Sequence, residues 1–404
     1  MMAYVLRKLV AATALAACSA TAASAAGFAI REQSAEGLGA SFAGVAAGTD
    51  GLSSMFWNAA TMTLHEDEGF QSESNYSLIV PYSRAKNGVG GLGGSGDSGN
   101  IAELVFAPAS YYVYQVNDRL FVGLGLNSPF GLSTESDVWA GSRHGSESSL
   151  FTFNANPNVA YKLSDDISVS AGFQLQYADI NFETVDPATG AMVDNVEGDD
   201  FGVGFTAGVL FTPSDTTQVG LGFRSMIEHN LDGNGFVGQY AGGMTVPLDT
   251  PEIVTLGIRQ EIDERWTAMA GVEWTNWSRF KNLAVYSDPG GGMLSTTPEK
   301  WKDSWFVSLG GEYAYSDALT LRAGVAYEDS GVPDATRTPR IPDNNRYWVS
   351  VGATWQVNDW LKANLAYSHA FVEDGDVALT GPPSLTATFK QSIDIVSASA
   401  AIDW

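Results

Sequence analysis

The spacing of its breaks constrains this chain more than any other feature. Short polar breaks recur at Asn117-Asp118, Ser164-Asp165-Asp166, Pro213-Ser214-Asp215, Asp263-Glu264, Ser316-Asp317 and Asn358-Asp359. Much longer polar or Gly-rich stretches lie between them, over 84–100, 128–149, 184–199, 230–250, 279–302, 329–344 and 373–390. The segments separated by these breaks alternate. Val169, Ala171, Phe173, Leu175 and Tyr177 are interleaved with Ser168, Ser170, Gly172, Gln174 and Gln176, and 254–259 and 319–328 repeat the pattern. Period two gives a β-strand one apolar and one polar face. A soluble sandwich shares that alternation. Tight turns at one end and long loops at the other mark a transmembrane barrel of the outer-membrane type.

Counting hairpins predicts about fourteen strands, an even number that puts both barrel ends on the periplasmic side. They begin near 70, 101, 119, 150, 167, 201, 217, 252, 266, 303, 319, 346, 361 and 391. The last runs to Trp404 and places Val396, Ala398, Ala400, Ile402 and Trp404 on one face. Ending on an outward aromatic suits the girdle at the membrane interface. Pairing this strand with the first leaves no edge exposed to lipid. After the N-terminus no apolar run is long enough for a membrane-spanning helix. The expected fold class is all-β, an antiparallel transmembrane barrel over 69–404.

The first residues indicate export. Arg7-Lys8, an apolar run from Leu9 to Ala17 and the small triplet Ala23-Ser24-Ala25 form a signal peptide over 1–25. Leu15-Ala16-Ala17-Cys18 also fits a lipoprotein cleavage box; otherwise cleavage removes the sole cysteine, and with it any disulfide or thiol nucleophile. Residues 26–68 are rich in Ala, Gly and Ser and lack alternation. Composition leaves a tail, a periplasmic extension and a lumenal plug equally open.

A net charge of −25 argues against nucleic acid, whose phosphates need a basic footprint. It does not signal disorder, because 45% of residues are hydrophobic. Gly88, Gly90 and Gly93 spell G-x-G-x-x-G, but glycine and serine follow where a helix is needed to bind phosphate. His65, His144, His229 and His369 show no metal-ligand spacing. His144 and Ser146 share a long loop without a rigid element to hold them for catalysis. No enzyme, cofactor or metal is expected. Solvated charge is the reading for the acidic stretch Glu197–Asp200, with cation bridging to lipopolysaccharide as the alternative.

Several ordered motifs carry a resemblance. Gly27-Phe28, Gly37-Leu38-Gly39, Gly44 and Asn58-Ala59-Ala60 come first. Pro129-Phe130-Gly131-Leu132-Ser133-Thr134-Glu135, Trp139, Gly141, Arg143, Asn156-Pro157 and Ala160-Tyr161-Lys162 follow. Then come Glu273-Trp274-Thr275-Asn276-Trp277-Ser278, Trp301-Lys302-Asp303, Asp329-Ser330-Gly331-Val332-Pro333, Ile341-Pro342-Asp343 and Arg346-Tyr347-Trp348. Together they resemble the outer-membrane long-chain fatty-acid transporter family, which includes aromatic-hydrocarbon transporters.

That resemblance implies a fourteen-stranded barrel with an N-terminal hatch, residues 26–68, in its lumen. It also implies a route. A hydrophobic ligand is captured among the extracellular loops, passes to a pocket near the hatch, and leaves sideways at a kink in the third strand. Phe28 matches an aromatic near the hatch start, with simple anchoring as its other reading. Lys302 and Lys162 match basic positions that would meet a carboxylate, with lumenal salt bridging as theirs. Gly123 and Gly125 are where the kink is expected. Asn58, Ala59 and Ala60 stand where the family carries Asn-Pro-Ala, so the hatch loses a fixed φ there.

The expected partners are a long-chain fatty acid or similar hydrophobic compound, outer-membrane lipid and lipopolysaccharide, and the barrel assembly machinery through Trp404. A monomer is expected. The competing functions are a monoaromatic-hydrocarbon channel of the same family, a general diffusion porin, and an adhesive barrel acting through its loops.

Overall fold

The computed structural model describes residues 27–65 and 69–404. The expected signal peptide, its cleavage site and Cys18 lie outside the described residues. Fourteen antiparallel strands close on themselves. They are β1 (Phe70–Gly90), β2 (Val105–Asn117), β3 (Leu120–Asn127, resuming over Gly131–Glu135), β4 (Glu147–Lys162), β5 (Ile167–Val185), β6 (Met192–Ser214) and β7 (Thr217–Arg224). The second half comprises β8 (Ile253–Glu261), β9 (Trp266–Thr275), β10 (Ser304–Ser316), β11 (Leu319–Glu328), β12 (Arg346–Asn358), β13 (Leu361–Val372) and β14 (Leu385–Asp403). Pairing of β14 with β1, from Gln71↔Asp403 to Gly90↔Leu385, closes the ring.

Three strands begin earlier than expected, β4 at Glu147, β6 at Met192 and β14 at Leu385, and β2 begins later, at Val105. Several stretches expected to be loops are also paired. Ile227–Val237 with Tyr240–Thr250, and Asn282–Asp288 with Met293–Pro298, form hairpins above the wall, and Gly375–Leu379 pairs with β14. Apolar alternation in these segments is short, as at Met244, Val246 and Leu248 or Leu283 and Val285, and is set among polar and glycine residues, so it does not stand out in the sequence.

The outer face is apolar between two aromatic levels. On β12, Tyr347, Val349, Val351 and Trp355 are exposed, and on β13 and β14 so are Leu365, Phe371, Val396 and Trp404. From Tyr347 to Trp355 the strand rises roughly 27 Å at about 3.4 Å per residue. Allowing for strand tilt, that approaches the ~25 Å apolar band of such barrels. Trp404 donates from Nε1 to Ser72 Oγ at 3.0 Å, fastening the C-terminus to the first strand.

The N-terminal segment lies within this ring. It begins an α-helix, α1 (Ala35–Gly39), where the Ser34 side chain accepts from Gly37 N at 2.8 Å. It continues through 3-10 turns at Ser53–Phe56 and Ala59–Leu64. Ala35 N donates to Asn75 on β1, Arg31 reaches Glu273 on β9, and Asn58 reaches Val209 on β6. Ser41 bonds Ser350 on β12. Only an interior segment meets strands on all these sides.

Glycines make that seat possible. A Cβ on Gly220 would lie 1.7 Å from Ala46 O, on Gly222 1.8 Å from Trp57 O, and on Gly324 2.2 Å from Ala40 C and O. Gly220 and Gly257 stand directly opposite in register, as do Gly257 and Gly271. Backbone therefore packs on backbone across neighbouring strands, leaving no room for a side chain. Gly220→Val is expected to unseat the segment and to raise ion conductance in a planar bilayer far above that of the native chain. Unchanged conductance would show that this contact does not hold the lumen shut.

Candidate functional site

The site is built on the first residues of the interior segment. Phe28 is 2% exposed and lies among four rings. Its centroid is 4.6 Å from Trp277, 5.7 Å from Phe280, 5.7 Å from Trp301 and 6.0 Å from Phe130. Mostly edge-on, these arrangements favour aromatic pairs, each contributing about 0.5–1.5 kcal/mol beyond area burial. Leu150, Ile180, Leu231, Met244 and Leu248 extend the apolar cluster toward the loops. The result is a chamber filled by its own aromatic and apolar side chains at the loop end of the lumen.

Charge positions the segment below it. Arg31 pairs with Glu273 at 2.7 Å and Glu328 at 3.2 Å. Arg346 binds Asp343, whose other oxygen accepts from Gly27 N at 3.0 Å. Deeper, Arg322 bridges Glu36 and Glu312, and Arg259 joins Glu312 to Asp50. Glu36, Asp50 and Glu312 approach one another as metal ligands would, but both guanidiniums already satisfy them. Buried ion pairs add little net stability, yet breaking one strands a charge, so they fix position. At the chamber's edge Trp301 Nε1 donates to Glu299 at 3.0 Å, and burial pushes that carboxyl up to about 7.

The wall beside Phe28 is broken. β3 pairs with β2 only as far as Leu126↔Ser110. Residues 128–130 leave the strand, and Gly131–Glu135 pairs with β4 alone but for one bridge, Ala102↔Thr134. Val105–Ala109 on β2 consequently pairs with β1 but not with β3. Outward Tyr76 and Leu78 on the adjoining β1 are exposed, so the gap lies within the apolar belt. The interior segment holds the break in place. Ile30 N donates to Pro129 O at 2.8 Å, Gly131 N to Phe28 O at 2.7 Å, and Gln33 Nε2 to Ser128 O at 2.9 Å.

The residues singled out from sequence separate accordingly. Phe28 sits at the centre of the chamber. Lys302 does not line it: the side chain is exposed, its N–H bonds Gly331 O, and its neighbour Trp301 points inward instead. Lys162 lies at the turn end of β4, its ammonium 5.7 Å from the Phe121 ring, far along the strand from the chamber. Gly123 and Gly125 are regularly paired on both sides, so the discontinuity falls beyond them at 128–130. A Cβ on Gly123 would strike Met62 and Met55, a packing reason for that glycine. Asn58 caps the turn through Ala60 N and donates to Ala46 O and Val209 O. Sequence reading missed the role of Pro129 at the break and of Pro108 on the facing edge, although proline in a strand marks such edges.

A closed barrel with an apolar outer belt and its own N-terminal segment packed against the inner wall defines an outer-membrane β-barrel. The chain belongs to the family described as outer membrane protein transport protein (OMPP1/FadL/TodX), whose model matches residues 16–403. This is a family of outer-membrane transporters of hydrophobic compounds rather than of enzymes. The chain is 28% identical over 382 residues to a long-chain fatty acid transport protein of Salmonella typhi, covering 85% of this chain and 87% of that one. A 47 kDa outer membrane protein of Pasteurella multocida is 29% identical, with 87% and 88% covered. In fold it is similar to a Pseudomonas aeruginosa FadL homologue, with a TM-score of 0.87 at 24% identity over 94% of this chain and all of that one. The Pseudomonas putida toluene transporter TodX gives 0.65 at 20% identity, over 87% and 94%.

Two outcomes are expected. Asn58 has φ −149° and ψ 101°, the extended conformation required before proline, and Ala59 is the first residue of its turn. Ala59→Pro should therefore raise thermal stability by up to about 1 kcal/mol, read as an upward shift in the melting temperature. Glu299 holds its proton more tightly folded than unfolded, so its contribution is full below pH ~4.5 and is lost as pH rises through about 7. The Trp301 indole N–H resonance should titrate near pH 7 and become pH-independent in Glu299→Gln.

Proposed function

We propose that this chain takes up long-chain fatty acids or similar hydrophobic compounds across the outer membrane and releases them sideways into the bilayer. One observation carries the reading: residues 28–33 form both the floor of the aromatic chamber and the hydrogen-bonded cover of the break in β3. Residues 26–68 act in this reading as the hatch, whose leading residues rearrange to join chamber and gap. A cargo following that route keeps its apolar surface out of water throughout.

Capture falls to the loop end. A groove of about 480 Å³ between the two upper hairpins is lined by Phe280, Ala284, Tyr286 and Met293, with Lys281 at hand for a carboxylate and Arg279 paired to Glu252. Similarity to long-chain fatty acid transport proteins favours fatty acid. The ring-rich chamber around Phe28 also suits a monoaromatic hydrocarbon, which is the second reading. A general porin fits less well, because the interior segment occupies the lumen where such a protein needs an open charged channel.

A reversible lock tests the route. Ala29 and Phe130 are bridge partners, so their Cα atoms lie close enough for a disulfide. The double variant Ala29→Cys, Phe130→Cys should lose uptake of labelled oleate when oxidised and regain it on reduction. Undiminished uptake by the oxidised form would sink lateral release through this gap.

A further inference from the structure

Polar groups left without partners are confined to one short stretch of the interior segment. Among its described residues, the buried side-chain atoms that make no hydrogen bond are Arg31 Nε, Glu32 Oε2 and Gln33 Oε1. Folded interiors leave few such groups, because each is held at a cost in free energy. Here three consecutive residues carry one each, in the stretch that runs from the chamber to the break in β3.

Glu32 differs from its two neighbours in having no ion-pair partner for its carboxyl. It is 2% exposed, and no guanidinium of a described residue lies at ion-pair distance from it. The charged groups around it are Arg31 on its own segment, Glu273 on β9, Glu328 on β11, Asp343 in the loop before β12, and Arg346 on β12. Both cations are already engaged. Arg31 holds Glu273 at 2.7 Å and Glu328 at 3.2 Å, and Arg346 holds Asp343 at 2.6 Å. Toward β1 and β14 the contact is uncharged: Glu32 O accepts from Ser77 Oγ at 3.0 Å, and that hydroxyl also bonds Ser397. Four carboxyls therefore share two guanidiniums, and Glu32 is the one left over. A buried charge without a partner is costly, so the seated Glu32 keeps its proton. Burial pushes its carboxyl up to about 7, against the pull of its own backbone N–H, Arg31 and Arg346.

We propose that Glu32 is a proton-operated catch: protonated, it lets residues 27–33 stay seated beneath the break, and ionised, it drives them from that seat. What the movement accomplishes rests on the uptake reading above, whereas the catch itself needs no cargo. Once displaced into water, the carboxyl returns to its ordinary value near 4.5. The seated form binds the proton more tightly, so the seat is at full strength below pH ~4.5. It weakens about tenfold per pH unit above that and is weakest once pH passes about 7.

Amide hydrogen exchange of the purified barrel without ligand reads the catch directly. The reporters are Ile30 N–H and Gly131 N–H, which donate to Pro129 O and Phe28 O across the break. Corrected for intrinsic exchange, their protection should fall on the order of a hundredfold between pH ~4.5 and ~7 and then level off, while β12 ladder amides keep theirs. Glu32→Gln, an uncharged match for the protonated side chain, should retain the acid-side protection at every pH. Native protection that stays flat over this range, or that falls equally in Glu32→Gln, would overturn the catch and leave the uptake reading standing. Failure of the disulfide lock would instead overturn sideways release without altering this exchange profile.

Discussion

A fourteen-stranded barrel encloses more volume than its own inward side chains can fill, since eight strands already suffice to make a side-chain-filled core. Everything else in this structure follows from how that surplus is occupied. The N-terminal segment enters as backbone lying on backbone, with Ala46 O against Gly220 and Ala40 against Gly324. Contacts this close exclude water and specify one seating, because small shifts bring Cβ atoms into the wall. Burying so much main chain obliges its polar groups to find partners. The acidic and basic side chains of the lumen supply many of them: Glu73 accepts from Leu52 N and Ser53 N, and Glu36 from Asp50 N.

The ion pairs divide the segment into two regimes. Residues 35–64 are held by the glycine seat and by the Arg322–Glu36–Glu312–Arg259 network, which no small movement can leave without stranding a charge. Residues 27–33 are held by Phe28 ring contacts, the Arg31 pairs and hydrogen bonds to 128–131. The second set touches both the chamber and the gap. It is the part of the segment whose displacement would change what those two spaces can exchange.

The barrel was legible in the sequence because turn spacing and alternation are local signals. Strand starts at 70, 167, 217, 266, 319, 346 and 361 coincide with the structure to within a residue or so. The upper hairpins were not legible, since above the lipid belt their outer face needs no apolar residues and the apolar alternation of their inner face is short. Nor was the direction of side chains where strands end. Trp301-Lys302 was read for its cation, yet the indole faces the chamber and the ammonium does not. Gly123 and Gly125 are where the kink is expected, whereas the strand is regular there and Gly123 makes room for Met62 and Met55. The prolines at 108 and 129 were the better guide to the broken ladder.

The interrupted ladder between β2 and β3 also bears on what sets the pace of delivery. An axial passage would have to dislodge the seated glycine contacts and the deeper ion network. The proposed sideways passage leaves both in place and asks only residues 27–33 to yield, with their hydrogen bonds to 128–131, the Phe28 ring contacts and the Arg31 pairs. A molecule handed over there is already dissolved in hydrocarbon. Its flux would then follow the partition between chamber and bilayer, so adding methylenes to the cargo should not impose the penalty that falling aqueous solubility imposes on diffusion through a porin.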